Sequence, residues 1–294
     1  MNLTGIFPPI ITPFKENGDV DEEKFIRNIG RWNNQPLSGY LVLGSNSEAP
    51  FLSREEKLRL VELAVEHAAP DRTVIVGSGM ESARETIRLT NDAALAGAQA
   101  ALVLTPSYYG EQMTDEALAS FFSAVADASS IPILVYNVPK FTHVNVSVDV
   151  LSRLQKHKNI IGMKDSSGNM PQLASFRKAI DPRFQILVGT ASGWLPALEM
   201  GIKGGILALA NCCGTECVRV RELYEAGKLK EAGDLNSRLL PVNKAVTSTY
   251  GVAGLKYACE RRGFDSGTVR SPLLPLNADQ KSRLDEILVT AGLV

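Results

Sequence analysis

The chain predicts a (β/α)8 barrel, an α/β fold of the TIM-barrel type, followed by a C-terminal α-helical extension. Three observations carry this reading. Eight short apolar segments alternate with helix-like segments between Ile6 and about Ala210, at the spacing of βα units. These segments are apolar on both faces, as strands of a parallel sheet covered by helices must be. No glycine-rich dinucleotide fingerprint follows the first of them, which disfavours an open doubly wound sheet. At 294 residues the chain has room for one large domain or two small ones.

The first segment, Gly5-Ile6-Phe7-Pro8-Pro9-Ile10-Ile11-Thr12-Pro13-Phe14, reads as a strand at its ends, with central prolines that cannot donate to a ladder. A helix over 21–32 follows, with acidic residues in its first turn and Phe25, Ile26 and Ile29 on its apolar face. A strand over 39–44 ends at a glycine, and a helix over 53–68 opens on a capping box of Ser53 with Glu56. The alternation continues with strand 73–77, helix 82–96, strand 101–106, helix 114–128, strand 131–138 and helix 147–156. Strand 160–164 leads to helix 170–180, strand 184–189 to helix 194–200, and strand 204–210 completes the eight. Beyond about Cys213 the pattern is helical only, over 218–226, 228–249, 254–262 and 278–290. These elements divide the chain into a catalytic barrel over 1–214 and a helical extension over 215–294.

Composition narrows the class of function. The chain is 45% hydrophobic and 21% charged, as soluble globular proteins are. Its 31 basic and 32 acidic residues leave a net charge of −1, which gives no electrostatic footprint for nucleic acid or an anionic membrane. No apolar run approaches the roughly 18 residues that span a bilayer. Met1-Asn2-Leu3-Thr4-Gly5 lacks the pattern of a signal peptide, so a cytoplasmic protein is expected, with an organellar mature form as the alternative. Four cysteines in a chain this long make no disulfide framework. Cys212, Cys213 and Cys217 lack zinc spacing, and His67, His143 and His157 are far apart in sequence, so neither a metal nor another cofactor is expected. The cysteines read as small apolar residues of the core.

One stretch stands out, Asn159-Ile160-Ile161-Gly162-Met163-Lys164-Asp165-Ser166-Ser167-Gly168. It is a buried strand running into a lysine and then a polar loop. A lysine is seldom fully buried, because desolvating its ammonium is costly. A desolvated amine also loses proton affinity, which is what an amine nucleophile needs. Strand alternation puts Ile160, Gly162 and Lys164 on one face and Ile161 and Met163 on the other. On that reading Gly162 leaves space for a small ligand beside the lysine.

In a barrel of this kind the active site lies at the C-terminal ends of the strands. Those ends carry Gly44-Ser45-Asn46-Ser47-Glu48, Gly77-Ser78-Gly79, Thr105-Pro106-Ser107-Tyr108-Tyr109, Tyr136-Asn137-Val138-Pro139, Lys164 and Gly189-Thr190-Ala191. Without a carboxylate or histidine cluster, this rim is poorly equipped to hold a catalytic metal. It offers an amine that can form an iminium with a ketone, an electron sink for the adjacent carbon–carbon bond. Tyrosine and serine can relay a proton to or from the reacting oxygen. Each residue also has a plainer reading taken alone: Tyr136 as a core tyrosine, Gly44-Ser45-Asn46 as a turn, Tyr108 and Tyr109 as interface packing.

At these residues the chain resembles the pyruvate-dependent class I aldolase family that includes dihydrodipicolinate synthase and N-acetylneuraminate lyase. Gly44-Ser45-Asn46-Ser47-Glu48 is similar to the family's Gly-[Ser/Thr]-x-Gly-Glu loop, with Ser47 where glycine is usual. Tyr136-Asn137-Val138-Pro139 resembles its tyrosine motif, and Gly162 to Gly168 its lysine motif. The resemblance covers essentially the whole chain. It implies Lys164 as the Schiff-base lysine, Tyr136 as the acid/base residue and Ser45 as the next member of the proton relay. It also implies Tyr108 as a tyrosine reaching into a neighbouring subunit's site, Ser45 and Asn46 as holders of the pyruvate carboxylate, and Thr190 and Ile206 as pocket lining. A homotetramer built as a dimer of dimers is implied as well.

Within the family, dihydrodipicolinate synthases carry an arginine two residues after the motif proline, where it binds the aldehyde's carboxylate. Phe141 stands there in this chain, and a phenyl ring does not replace a bidentate guanidinium. The Gly-Ser-Asn loop, the Lys-Asp-Ser run, Ala208-Leu209-Ala210-Asn211 and Pro241 to Thr247 look most like 4-hydroxy-2-oxoglutarate aldolase. The expectation is a lyase cleaving a 4-hydroxy-2-oxo acid, with 4-hydroxy-2-oxoglutarate giving pyruvate and glyoxylate. The alternatives are dihydrodipicolinate synthase, condensing pyruvate with aspartate semialdehyde, an aldolase or dehydratase of sugar-derived 2-oxo-3-deoxy acids, and a non-catalytic 2-oxo acid binder.

Overall fold

The computed structural model describes residues 1–294 and forms the expected barrel. Its strands are β1 (Gly5–Phe7), β2 (Gly39–Val42), β3 (Thr73–Gly77), β4 (Ala100–Leu104), β5 (Ile133–Asn137), β6 (Ile160–Asp165), β7 (Gln185–Val188) and β8 (Gly204–Ile206). Hydrogen-bonded neighbours run in the order β1-β8-β7-β6-β5-β4-β3-β2, and every pair is parallel. The ring closes between the residues after β1 and β2. There Leu41 N–H donates to Pro8 O and Ile10 N–H to Leu41 O, each at 2.9 Å. Pro8 and Pro9 contribute only acceptors, which is why regular strand stops at Phe7 and the pairing continues as a single bridge at Pro9.

Side chains divide into an inner and an outer core. Phe7, Leu41, Ile75, Leu102, Leu134, Leu187 and Ile206 fill the barrel, while the opposite strand faces pack against the surrounding helices. Side-chain N-caps hold six of those helices: Asp21, Ser53, Ser82, Thr114, Ser147 and Asn169 each accept a hydrogen bond from the third helical N–H. Each such cap is worth roughly 1 kcal/mol. All six follow the C-terminal ends of strands, so they also fix the rim loops.

Four expected elements differ. The strand expected over 204–210 ends at Ile206, and the helix expected from 218 already begins at Ala210, running Ala210–Glu225 with a kink at Cys213. Asn211 explains the early start. Its side chain donates to Pro9 O and accepts from Ile11 N–H, tying that helix to the segment after β1. The helix expected over 228–249 is regular only over Leu229–Lys244 and widens to a π-helical turn over Ala245–Thr249. Thr247 Oγ1 donates back to Asn243 O at 2.6 Å, a contact that distorts helical ladders. The strand expected over 131–138 is regular over Ile133–Asn137 and passes into one helical turn, Pro139–Thr142.

The alternation expected in β6 is also corrected. A register shift opposite Ile133 and Leu134 changes the phase of the strand. Ile160 and Met163 both pack into the outer core and Ile161 against the inner one, whereas Lys164 lines the rim cavity.

Candidate active site

Lys164 and Tyr136 are direct cross-strand partners on β6 and β5. The lysine is 3% exposed and the tyrosine 6% exposed. Lys164 Nζ lies 4.2 Å from the centroid of the Tyr136 ring and makes no ion pair. The adjacent carboxylate, Asp165, is engaged elsewhere. Asn137 donates to its Oδ1 at 2.8 Å and Ser167 Oγ to its Oδ2 at 2.7 Å. Burial still raises the Asp165 carboxyl above its ordinary range against those two bonds. Asn137 Oδ1 accepts from Val146 N–H at 3.0 Å, so this buried trio fastens the ends of β5 and β6 to the loop beyond them.

Burial pushes the Tyr136 phenol up, but the charge of Lys164 and hydrogen bonding from Ser45, Lys164 and Ser166 outweigh it and hold the phenol below the usual tyrosine range. The Ser166 hydroxyl is buried and has no hydrogen bond of ordinary geometry, so it reaches the phenol only as a loose neighbour. Gly189, after β7, makes room for it. A Cβ there would stand 1.8 Å from Ser166 Oγ, while Gly189 N–H donates to Asp165 O at 2.7 Å. Gly162 has a different role from the one expected. A Cβ on it would meet Gln185 O at 2.2 Å, so its missing side chain admits the backbone of β7 rather than a ligand.

Ser45 and Asn46 lie in a tight turn of 3-10 helix, Ser45–Ser47, after β2. Ser47 Oγ donates to Ile10 O and accepts from Gly44 N–H, and Thr12 Oγ1 donates to Ser47 O. Glu48 ends the turn in the left-handed region at φ 57°, ψ 33°, and its N–H closes onto Ser45 O at 3.2 Å. Ser45 and Asn46 face a cavity of about 260 Å³ at the C-terminal mouth of the barrel. The structure brings Lys164, Tyr136, Ser45, Asn46, Thr190, Ile206 and Phe141 onto its walls. Tyr108 is not among them; it projects outward, 79% exposed, against Tyr109. Glu81 anchors that aromatic pair by accepting the N–H groups of Ser107 and Tyr108, both at 2.9 Å.

The cavity also has walls that strand-end reading did not assign. Ser166, Ser167, Ser192, Lys140, Thr247 and Ser248 line it. The first three sit just past strand ends, where a stricter use of the rim rule finds them. Thr247 and Ser248 arrive on the π-helical turn of the extension, and no local pattern announces that. Lys140 Nζ donates to Thr247 O at 3.0 Å and lies 5.6 Å from the Phe141 ring centroid. The walls therefore hold two lysines and a ring of hydroxyls, with no carboxylate. A larger hollow of about 580 Å³ lies beside the extension, but the buried lysine on its wall, Lys256, is already paired with Glu48. The chemistry belongs to the smaller cavity.

Comparisons with known proteins give the family and the fold. The Dihydrodipicolinate synthetase family profile matches residues 2–291. A 4-hydroxy-tetrahydrodipicolinate synthase from Bartonella bacilliformis is 37% identical over 293 residues, covering 99% of each chain. The structure superposes on the chloride-inhibited dihydrodipicolinate synthase of Acinetobacter baumannii, solved with pyruvate, with TM-score 0.94, 28% identity and full coverage of both chains. It likewise matches a monomeric dihydrodipicolinate synthase variant, with TM-score 0.93, 28% identity and 99% and 98% of the two chains covered.

Proposed function

The chain belongs to the dihydrodipicolinate synthetase family of class I, Schiff-base carbon–carbon lyases, and from that premise we propose that it cleaves a 4-hydroxy-2-oxo dicarboxylate, 4-hydroxy-2-oxoglutarate, to pyruvate and glyoxylate. One observation supports this substrate class above others. The cavity has a lysine at each end, Lys164 deep and Lys140 at the mouth, hydroxyls between them and no acid, which suits a short 2-oxo acid with a second carboxylate. Phe141 occupies the mouth where a guanidinium would have gripped an aldehyde's carboxylate.

In this reading the Lys164 amine adds to C2 of the substrate, and loss of water gives the iminium. Ser45 and Asn46 hold the C1 carboxylate. Tyr136 takes the proton from the C4 hydroxyl, the C3–C4 bonding pair moves into the iminium, and glyoxylate leaves. Tyr136, hydrogen-bonded to Ser45, then returns that proton to C3 of the enamine. Water then hydrolyses the imine, releasing pyruvate and the free amine of Lys164. Held below the usual tyrosine range, the Tyr136 phenol ionises more readily than a free one, which favours the phenolate form that taking the C4 hydroxyl proton needs. We propose further that Tyr108, exposed on a firmly held loop, completes a neighbouring subunit's site in a homotetramer; its mass in solution tests that assembly.

A second reading has its own support. The curated relative quoted above is a 4-hydroxy-tetrahydrodipicolinate synthase across its whole length, which favours condensation of pyruvate with aspartate semialdehyde. One experiment separates the two: pyruvate release from 4-hydroxy-2-oxoglutarate and condensation with aspartate semialdehyde, measured side by side in chelator. Release at least ~100-fold faster in kcat/KM than condensation, about 2.7 kcal/mol of transition-state preference, supports cleavage. The reverse ratio assigns the synthase reaction.

A further inference from the structure

Lys256 is a second buried lysine, 2% exposed, on the helix Gly251–Arg261 of the extension, and the chemistry above gives it no part. Its Nζ stands 2.6 Å from Glu48 Oε1, in an ion pair too bent for a good hydrogen bond. The same ammonium donates to Thr268 O at 2.5 Å and lies 4.5 Å from the Phe14 ring centroid. Glu48 is 2% exposed, and its other oxygen accepts from Arg270 N–H at 2.8 Å. The Arg270 guanidinium closes the assembly by a two-pronged contact with Glu56 at 2.6 and 2.7 Å. Thus one buried cation joins the turn after β2, the residues after β1 and the segment leading to Arg270.

We infer that Lys256 is a positioning residue for the reaction, acting through Glu48 on Ser45 and Asn46. The route is short and physical. Glu48 holds a left-handed backbone conformation that non-glycine residues seldom adopt, and such strain persists only where surrounding contacts enforce it. Its own N–H closes the turn on Ser45 O. With Lys256 gone, the Glu48 carboxylate would be buried without its cation and would have to swing toward solvent. The open hollow behind the pair, lined by Lys256, Phe14 and Thr268, gives it somewhere to go. That movement releases the turn and takes the Ser45 hydroxyl away from Tyr136. The helical extension would then be part of the proton relay's support, reaching the site from 208 residues downstream of the loop (256 − 48).

This inference rests on the relay proposed above, so its test uses a reaction that needs no aldehyde partner. Exchange of the C3 hydrogens of pyruvate for deuterium, followed by proton NMR, reads imine and enamine formation directly. Ser45→Ala, Lys256→Met and the double variant form a cycle, with Glu48→Gln as a second single variant that retains an acceptor for Arg270. Ser45→Ala should slow exchange by ~100-fold and Lys256→Met by at least ~10-fold, with the double variant no slower than the slower single one. Glu48→Gln should follow Lys256→Met, and both should still yield the borohydride-trapped imine at saturating pyruvate. Independent, multiplying losses in the cycle would overturn the inference, as would full exchange in a folded Lys256→Met or Glu48→Gln protein. Full exchange in Ser45→Ala is a different failure. It removes Ser45 from the relay and the inference with it.

Discussion

Two lysines are buried here to nearly the same depth, and different groups stand against them. Lys164 faces a phenol, hydroxyls and a cavity, with no carboxylate against it. Lys256 has Glu48 at 2.6 Å and the Thr268 carbonyl at 2.5 Å. Burial pushes Lys256 down to about 8, with Glu48 working in the opposite direction, and the amine is held between that carboxylate and the Thr268 carbonyl. Depth therefore does not identify a nucleophile. What separates the two is the partner: a carboxylate makes a buried lysine a tether, and a wall of hydroxyls with no carboxylate leaves it available for chemistry.

Exchanging either lysine for a neutral side chain breaks the comparison most strongly. Lys164→Ala should lower turnover by on the order of 10⁴-fold or more, as removal of a covalent nucleophile does. Denaturant unfolding gives the sharper contrast. Lys256→Met removes the cation that holds the Glu48 carboxylate in its buried place and should cost about 3–5 kcal/mol. Lys164→Met removes an amine that no carboxylate balances, and stability should hold or rise by about 1 kcal/mol, as active-site neutralisations often do. Equal losses in the two variants would erase the distinction drawn here.

Tyr136→Phe comes next. It should reduce turnover by about 10²–10⁴-fold, the usual share of a positioned acid/base, while borohydride still traps the imine. Undiminished kinetics would take Tyr136 out of the reaction. The smallest effect is on titration. Tyr136 is held below the ordinary value of 10.0, whereas Tyr40 is pushed up to about 12. In difference spectra, Tyr136→Phe should remove an early step of phenolate absorbance. A depressed acid stabilises the fold once it ionises. Wild type should therefore gain stability over Tyr136→Phe as pH rises from that lowered value toward 10.0, and the gain should vanish as pH falls back through it.

The barrel was legible because its strands are short, apolar and separated by capped helices. Lys164 was legible because an unbalanced cation at the end of an apolar strand is costly to bury. Other features resist a one-dimensional reading. The phase of β6 depends on a register shift against β5, so Gly162 faces the backbone of Gln185 instead of a ligand. Thr247 joins the cavity only because a π-helical turn carries it there. The Glu48–Lys256 pair links residues that no local periodicity connects. Glu48 reads as part of a reactive loop, yet its side chain points away from the chemistry and into the ion pair.

The most direct measurement is borohydride reduction in the presence of pyruvate, followed by peptide mass mapping of wild type, Lys164→Ala and Lys256→Met. The account predicts a single reduced pyruvate adduct on the peptide containing Lys164, present in wild type and Lys256→Met and absent from Lys164→Ala. An adduct on Lys256 or any other lysine, or none at all in wild type, would contradict it.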